Sequence, residues 1–192
     1  MTSSGTLPGR ADGRVGQAGA TSAHEFDGPS GVAIRRASSG DLEALVALDA
    51  ACFESEAWAP DGWRAELESP SGLVLVAESR QVVAGDGCER YADVVAAASF
   101  QMAGETAELH TVGTLNEWRG LGIATLLLAR GCDWARRRGA SEMLLEVRVG
   151  NGALALYIDL GFEALYERTN YYGPGLDALV MRRELRAGQG ES

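Results

Sequence analysis

Residues 119–124 read Arg-Gly-Leu-Gly-Ile-Ala and lead directly into an apolar segment that begins at Thr125. Gly120 and Gly122 allow backbone N–H groups to converge without interference from a Cβ atom. The first turn of the helix predicted to follow adds unpaired donors and the positive end of its dipole. This anion cradle (residues 119–124) predicts a binding site for a pyrophosphate. A plain tight turn before a helix is the alternative interpretation.

Two other phosphate-binding motifs are excluded by spacing and composition. The chain has no G-x-G-x-x-G sequence, which argues against a dinucleotide-binding turn. A P-loop requires a lysine, and all 17 basic residues of this chain are arginines. The anion cradle is therefore not part of either motif.

Glu146 is a second candidate for chemistry. It lies in residues 141–149, where apolar residues occupy alternate positions, the period-2 pattern of a strand. Helices are expected to cover both faces of this strand, so the Glu146 carboxylate is expected to be desolvated. Desolvation raises a carboxyl pKa toward the range in which the group accepts protons at neutral pH. The alternative interpretation is an ion pair with Arg148, its neighbour on the same face.

The elements around the anion cradle predict a βαβ unit. A strand over residues 107–112 is expected to stop at Gly113-Thr114, and the helix after the cradle is expected to end near Gly139. Residues 141–149 form the next strand, which implies a right-handed crossover.

The remaining segments complete a mixed α/β sheet. Residues 79–93 are polar and contain glycine, and they are interpreted as an excursion longer than a hairpin turn. The other predicted strands cover residues 32–36, 72–77, 94–100, 162–168 and 179–185, and the other predicted helices run from 42 toward 53, from 60 to 67 and from 151 to 160.

The stretch from 108 to 185 resembles the GNAT family of N-acetyltransferases. The pyrophosphate loop of that family has Arg or Gln, two residues, Gly, one residue, and Gly or Ala, which Arg119, Gly122 and Ala124 match. A weaker similarity extends back to about Val32. A narrower similarity, to the bacterial ribosomal-protein-alanine N-acetyltransferase branch, rests on LEVR (145–148), Asn151, ALY (155–157), LGF (160–162), R-x-N-Y-Y (168–172) and D-A-x-x-M (177–181).

The resemblance implies a mixed, mostly antiparallel sheet flanked by helices, with acetyl-CoA as co-substrate. The two central parallel strands, ending near Val112 and Val147, are expected to splay apart and admit this cofactor. The pantetheine arm is expected to lie along β-strand residues like an added strand, beside a bulge that Gly113 tolerates. The residues implied in cofactor binding are Val112, Gly113, Thr114, Arg119, Gly120, Leu121, Gly122, Ile123, Ala124, Thr125 and Asn151.

The resemblance also implies roles for four side chains in catalysis and substrate binding. Glu146 is the expected general base, and Tyr157 is the expected general acid that protonates the coenzyme A thiolate. Tyr171 and Tyr172, followed by a Gly-Pro-Gly turn, are expected to form a hairpin that grips the backbone of a peptide's first residues. Without the family, the three tyrosines fit core or sheet packing and Asn151 fits a helix N-cap.

Two departures from the family pattern are visible. Related sequences place six residues between the Asn and the Tyr, whereas five separate Asn151 from Tyr157. One residue within a helix rotates everything beyond it by about 100°. Either the helix begins later, or the two side chains cannot both hold their family positions. Thr114-Leu115-Asn116 also replaces the usual Val-Asp-Pro, and His110 is interpreted as structural.

Composition predicts one domain over residues 32–186, a disordered tail over 1–31 and a short flexible end over 187–192. The first 31 residues include seven glycines and one aromatic residue, so burial cannot offset their ordering entropy. No apolar run is long enough for a signal peptide or a membrane span, which predicts a cytoplasmic protein without a membrane partner.

Charge and cysteine usage limit the partners further. A net charge of −10 argues against binding to a nucleic-acid backbone. Cys52, Cys88 and Cys132 are widely spaced and form no metal-ligand motif, so reduced thiols and no metal are expected. A monomer is expected.

The leading hypothesis is an enzyme that acetylates the α-amine of protein N-termini, with the N-terminal Ala of a ribosomal small-subunit protein as the first candidate. One alternative is a related acetyltransferase acting on Lys side chains or small amines. Another is a non-catalytic acetyl-CoA-binding module.

Overall fold

A computed structural model describes residues 31–82 and 89–185, which contain one seven-stranded sheet. The strand order is β1-β2-β3-β4-β5-β7-β6. The β4–β5 pair is parallel, and the other neighbouring pairs are antiparallel, as predicted. The strands are β1 (Val32–Arg36), β2 (Gly72–Val82), β3 (Glu89–Ala103), β4 (Thr106–Thr114), β5 (Glu142–Arg148), β6 (Glu163–Arg168) and β7 (Ala178–Glu184), and the helices are α1 (Leu42–Phe53), α2 (Pro60–Glu68), α3 (Ile123–Arg137) and α4 (Leu154–Asp159).

Helix α3 covers one face of the sheet, because its apolar residues recur at helical spacing. Leu127 and Leu128 of α3 are fully buried in one cluster with Met143 and Leu145 of β5. Helix α3 ends two residues before Gly139, whose φ of +88° closes the helix as the sequence predicted.

Helices α1 and α2 cover the opposite face, mainly over β2, β3 and β4. Leu45 of α1 and Trp63 of α2 are buried against Val76 of β2 and Ala97 of β3. The residues of β5 on this face are only half-buried. The expectation that helices cover both faces of β5 is therefore wrong, since this face offers two helices and both lie on the other half of the sheet.

Several boundaries differ from the sequence prediction. Strand β2 extends to Val82, and β3 begins at Glu89 and pairs with it. Most of the excursion expected over residues 79–93 is therefore an extension of the β2–β3 hairpin. Two strands that satisfy each other's backbone hydrogen bonds need no apolar face to extend in this way. Residues 83–88, including Cys88, lie outside the described residues, as do residues 1–30 and 186–192. None of the helices within the described ranges is long and apolar enough to cross a membrane.

Candidate active site

Strands β4 and β5 separate partway along their length. They pair from Thr106 opposite Glu142 to Leu109 opposite Leu145, yet β4 continues to Thr114 and β5 continues to Arg148. The other edge of β4 stays paired with β3 as far as Thr114. The end of β4 therefore presents a free backbone edge to the opening, and the predicted splaying is confirmed.

The bulge of β4 lies at His110 and not at Gly113. Thr111 pairs with Ser99 and Leu109 pairs with Phe100, so His110 is the extra residue. Gly113 pairs regularly with β3, and β4 ends at Thr114, within the Gly113-Thr114 stop that the sequence predicted. A Cβ atom at Gly113 would lie 3.2 Å from Cys52 Sγ and 3.2 Å from a ring carbon of Phe53. A side chain at this position would therefore require Cys52 and Phe53 to shift by a few tenths of an ångström, because the end of α1 packs directly on β4.

The anion cradle has the geometry that its glycines predict. Gly120 and Gly122 have φ angles of +76° and +77°, and α3 begins at Ile123. A Cβ atom at Gly120 would have no neighbour within 4 Å, so the approach to the loop is open. The first intrahelical hydrogen bond runs from Leu126 N to Gly122 O, which leaves the N–H groups of the first turn without intrahelical partners. These donors fit a pyrophosphate.

Arg119, the first residue of the anion cradle, contacts the end of β4 through its side chain. Its Nε donates a hydrogen bond to the Thr114 carbonyl at 3.0 Å. The Thr114 hydroxyl is buried and has no hydrogen-bond partner among the described residues. Arg119 also lies close enough to Cys52 to oppose the rise in that thiol's pKa, which burial causes. The guanidinium thus brings positive charge to the point where the strand edge and the cradle meet.

Glu146 lies on the half-open face of β5, beside the opening. Its side chain is 30 % exposed, and its carboxylate accepts a hydrogen bond from Arg168 of β6. The predicted apolar surroundings are therefore wrong. The alternative pairing with Arg148 is also wrong, because Arg148 binds Glu56 at 2.9 Å. Strand pairing across β7 brings β6 close to β5, which makes Arg168 the nearer arginine.

Tyr157 is the most buried candidate in the site. It is 7 % exposed on α4, and its ring packs against Phe162 with centroids 6.0 Å apart. Burial, with a smaller contribution from Tyr172, raises the pKa of Tyr157 to about 12. The phenol therefore keeps its proton throughout the neutral range and is available as a donor.

Asn151 lies in a turn before α4, because the helix begins at Leu154 and not at residue 151. Its Oδ1 accepts the Ala153 N–H at 2.8 Å, which closes an Asx turn. Asn151 therefore lies outside α4, whereas Tyr157 lies within it. The rotation of about 100° per residue applies only within a helix, so it does not relate these two side chains.

Tyr171 and Tyr172 lie in the β6–β7 connection (residues 169–177), outside the strands, so the sheet-packing interpretation is wrong. They are 45 % and 38 % exposed, with ring centroids 5.0 Å apart. A hydrogen bond to Glu146 raises the pKa of Tyr171, and burial together with the charge of Glu146 raises that of Tyr172. Both phenol groups therefore lie close to the Glu146 carboxylate.

Internal hydrogen bonds hold the β6–β7 connection in shape. Asn170 Oδ1 accepts the Gly175 N–H at 2.6 Å, and Asp177 Oδ1 accepts the Asn170 N–H at 2.8 Å. The backbone N–H of Tyr172 donates to Leu176 O at 3.0 Å. The two tyrosines are thus presented on an ordered turn.

Two partners of this site were not predicted from the sequence. Arg168 was part of a recognised motif but had no assigned role, although it binds Glu146 and lies 4.3 Å above the Tyr171 ring. His110, interpreted as structural, is partly exposed and lies 2.9 Å from Glu66. The polar character of His110 within a strand could have indicated a functional position. Its contact with Glu66 could not be predicted, because the two residues are 44 positions apart in the sequence. In the described ranges, no group of His, Cys, Asp and Glu side chains could hold a metal ion.

Comparison with known proteins places this geometry in a family. Residues 42–162 match the sequence profile of the Acetyltransferase (GNAT) family. The chain is 32 % identical over 151 residues to the N-alpha-acetyltransferase RimI of Mycobacterium tuberculosis, covering 75 % of this chain and 87 % of that protein. It is 30 % identical over 115 residues to the ribosomal protein bS18-alanine N-acetyltransferase of Salmonella typhimurium, covering 54 % of this chain and 78 % of that one.

A solved structure supports the fold. The crystal structure of Arabidopsis thaliana NAA60 in complex with acetyl-CoA aligns with a TM-score of 0.68 at 14 % identity, covering 80 % of this chain and 98 % of that one. The splayed parallel strands, the glycine-containing loop before α3 and the profile match agree with one another. The chain is an acyltransferase that belongs to the GNAT family.

Proposed function

We propose that this protein transfers the acetyl group of acetyl-CoA to the α-amine of a protein N-terminus. The observation that carries the proposal is the arrangement around the β4–β5 opening. The anion cradle and the free edge of β4 lie at one side, and Glu146 under Tyr171 and Tyr172 lies at the other. A cofactor and an amine that enter from opposite sides would meet in the opening.

The cofactor side is defined as residues 112–125, and it fits acetyl-CoA. The first-turn N–H groups of α3 would hold the pyrophosphate, and Leu121 and Thr125 are exposed beside it. The unpaired edge of Val112, Gly113 and Thr114 would bind the pantetheine amides as a neighbouring strand would. Bound there, acetyl-CoA supplies the thioester acetyl group. Asn151 would reach the arm from the turn before α4.

The acceptor side is defined as Glu146, Arg168, Tyr171 and Tyr172. Glu146 would accept a proton from the attacking amine, while Arg168 fixes the orientation of its carboxylate. A backbone N–H of the β4 edge would donate to the carbonyl oxygen as negative charge develops there. Tyr157 would give its proton to the departing sulfur, and its raised pKa keeps that proton available at neutral pH.

The ordered β6–β7 connection favours an α-amine over a side-chain amine. Tyr171 and Tyr172 are exposed on an ordered turn, where they would close one end of the acceptor side. An extended peptide would then enter with its first residue and have little room to continue past them. The Salmonella relative is named for the alanine of ribosomal protein bS18. We therefore take an N-terminal Ala of a small-subunit ribosomal protein as the first substrate to test. The proposed site of action is the cytoplasm.

The test uses synthetic peptides with the purified 192-residue chain and acetyl-CoA. One peptide begins with a free Ala, a second has the same sequence with a blocked N-terminus and one internal Lys, and a third reaction contains small amines alone. The proposal expects acetylation of the first peptide at a kcat/KM at least about 10²-fold above the others. Equal rates on the Lys peptide or on small amines would support the alternative substrates instead. Acetyl-CoA binding without transfer to any amine would identify a non-catalytic module.

A further inference from the structure

His110 and Glu146 flank the opening from its two strands. Leu109 and Leu145 form the last pair of the parallel ladder, and His110 and Glu146 are the next residues of β4 and β5. Leu145 is buried in the core, so alternation along β5 directs Glu146 to the opposite face, where the acceptor side lies. The contact of His110 with Glu66 of α2 places the His110 side chain on that face as well. The His110 imidazole and the Glu146 carboxylate are therefore one residue beyond the last pair of the parallel ladder, one on each strand.

His110 is held by α2 in one orientation. Its Nδ1 lies 2.9 Å from Glu66 Oε1, and the buried Ser99 hydroxyl donates to Glu66 Oε2. A carboxylate only accepts hydrogen bonds, so Nδ1 carries the hydrogen and Nε2 carries the lone pair of the neutral imidazole. Nε2 lies 3.4 Å from Glu108 Oε2, which gives a proton taken up there a negative partner.

The surroundings favour the protonated ring. The hydrogen bond to Glu66 raises the pKa of His110 above its ordinary value, with burial opposing and Glu108 adding to the rise. Trp58 packs edge-on against the ring at 6.4 Å. The charged groups that contact the ring are Glu66 from α2 and Glu108 from β4. The titratable groups of the acceptor side are Glu146, Arg168 and Tyr171, which interact with one another.

The proton count of the reaction leaves one proton that Glu146 does not accept. This step rests on the proposed function. An α-ammonium loses two protons on the way to an amide, one before its nitrogen can attack and one after the C–N bond has formed. Glu146 can take one of them in each turnover, and its carboxylate already accepts hydrogen bonds from Arg168 and Tyr171.

We propose that His110 is a second proton-accepting residue, positioned by Glu66 and Ser99. Nε2 takes the first proton from the bound ammonium and frees the nitrogen lone pair. Glu146 takes the second proton after nitrogen bonds to the thioester carbon. The C–S bond then breaks and the sulfur receives the Tyr157 proton. The proton on Glu146 restores Tyr157, and the proton on His110 passes to solvent, so one proton is released per acetyl group transferred.

The test is the pH dependence of kcat/KM for His110→Gln on a peptide with a free N-terminal Ala. At pH 7 about one-tenth of an ordinary α-amine is already neutral, so the variant should be about 10-fold slower there. The deficit should shrink as pH rises and vanish above about pH 9, where the amine needs no base. Glu146→Gln should show no such recovery, since the second proton leaves after attack at every pH.

A variant of Glu66, which positions the His110 ring, separates a role of His110 in proton transfer from a role in packing. Glu66→Gln keeps a hydrogen-bond acceptor for His110 but removes the charge that raises the His110 pKa. The acidic limb of the wild-type profile should move to lower pH, while the plateau changes by less than about twofold. Glu68→Gln, at an exposed position of the same helix, should leave the profile unchanged.

A direct titration completes the test. The chain has two histidines, so His24→Gln leaves the His110 ring as the single imidazole signal in an NMR titration. Its pKa should lie above 6.5 and fall in the Glu66→Gln variant. A wild-type profile for His110→Gln would overturn the inference and leave the proposed function standing. So would a deficit that persists at every pH with a lowered melting temperature. A wild type that acetylates no α-amine would overturn both.

Discussion

The two sides of the β4–β5 opening are built in different ways. The cofactor side is one continuous segment, residues 112–125, and it would work mainly through backbone N–H groups at a strand edge and a helix start. The acceptor side brings together side chains from β5, β6 and the β6–β7 connection, with His110 of β4 and Glu66 of α2 nearby. One side depends on local conformation and the other depends on tertiary packing.

This difference determines how each side responds to substitution. A backbone site is damaged by changes that alter φ or add a Cβ atom, and it tolerates changes of exposed side chains. A side-chain site is damaged by the loss of one group, while its neighbours stay folded around it. The two sides should therefore separate in experiments that measure cofactor affinity and turnover independently.

The largest effect is expected from Glu146→Gln. The amide keeps the shape of the side chain but cannot accept the amine proton, so kcat should fall by about 10²-fold or more. Acetyl-CoA affinity, measured by calorimetric titration, should stay the same because Glu146 lies on the acceptor side. Glu142→Gln is the matched control, since Glu142 lies on the same strand and binds Thr106 away from the opening. An equal loss in both variants would remove Glu146 from the chemistry.

Gly120→Ala tests the cofactor side. The residue has a φ of +76°, and its Cβ direction is open in the structure, so the new methyl group meets nothing until a pyrophosphate approaches. The dissociation constant for acetyl-CoA should rise by about 10-fold or more, since both backbone strain and the methyl group oppose the bound geometry.

The control for this variant is Gly139→Ala at the other end of α3. Gly139 has a φ of +88° and an equally open Cβ direction, so it carries similar strain without touching the anion cradle. Both variants should lose comparable stability, about 1 kcal/mol. If Gly139→Ala weakened cofactor binding as much as Gly120→Ala, general destabilisation of α3 would explain the loss.

The sequence predicted the local conformation of residues 119–125 closely because its determinants are local. Glycines at positive φ and apolar residues at helical spacing act within a few residues, so Gly120, Gly122 and the start of α3 could be predicted. The bulge was misplaced from His110 to Gly113 because a bulge depends on register with β3, which no single strand encodes.

On the acceptor side, Glu146, Tyr171 and Tyr172 were candidates from the sequence, but the contacts between their side chains were not predicted. Glu146 was expected to be desolvated or bound to Arg148, whereas it binds Arg168, which is 22 residues away in sequence. Which arginine reaches the carboxylate depends on how β6 and β7 pair with β5, and on α1 and α2 covering the other half of the sheet. Periodicity reveals that a face is polar, but it does not reveal which elements lie over that face.

Replacing both Tyr171 and Tyr172 by alanine tests the recognition of the peptide. The KM for a peptide with a free N-terminus should rise by about 10-fold, because the double variant loses two large contact surfaces at the end of the groove. Acetyl-CoA affinity and melting temperature should change little, since both rings are substantially exposed. Tyr166→Ala, at a 57 % exposed position of β6, should change neither quantity. A lower melting temperature with both ligands weakened would show that the two tyrosines support the fold instead.

The smallest change in turnover is expected from Arg168→Gln. This variant tests whether the Glu146–Arg168 ion pair contributes to turnover. The variant removes the cation that orients Glu146 and that lies 4.3 Å from the centre of the Tyr171 ring. Turnover should fall by about three- to tenfold, less than for Glu146→Gln, because the base itself remains.

Arg148→Gln provides the comparison for this last variant. It breaks the exposed 2.9 Å contact with Glu56 at the end of the same strand as Glu146. Exposed ion pairs contribute little, so stability should be unchanged within about 1 kcal/mol. Turnover should also stay at the wild-type level if Arg168 alone orients Glu146. Steady-state kinetics at saturating acetyl-CoA measures both variants, and equal turnover in the two would mean that the Glu146–Arg168 pair has no role in catalysis. The acceptor side would then depend on its tyrosines and its proton acceptors, and not on a fixed carboxylate.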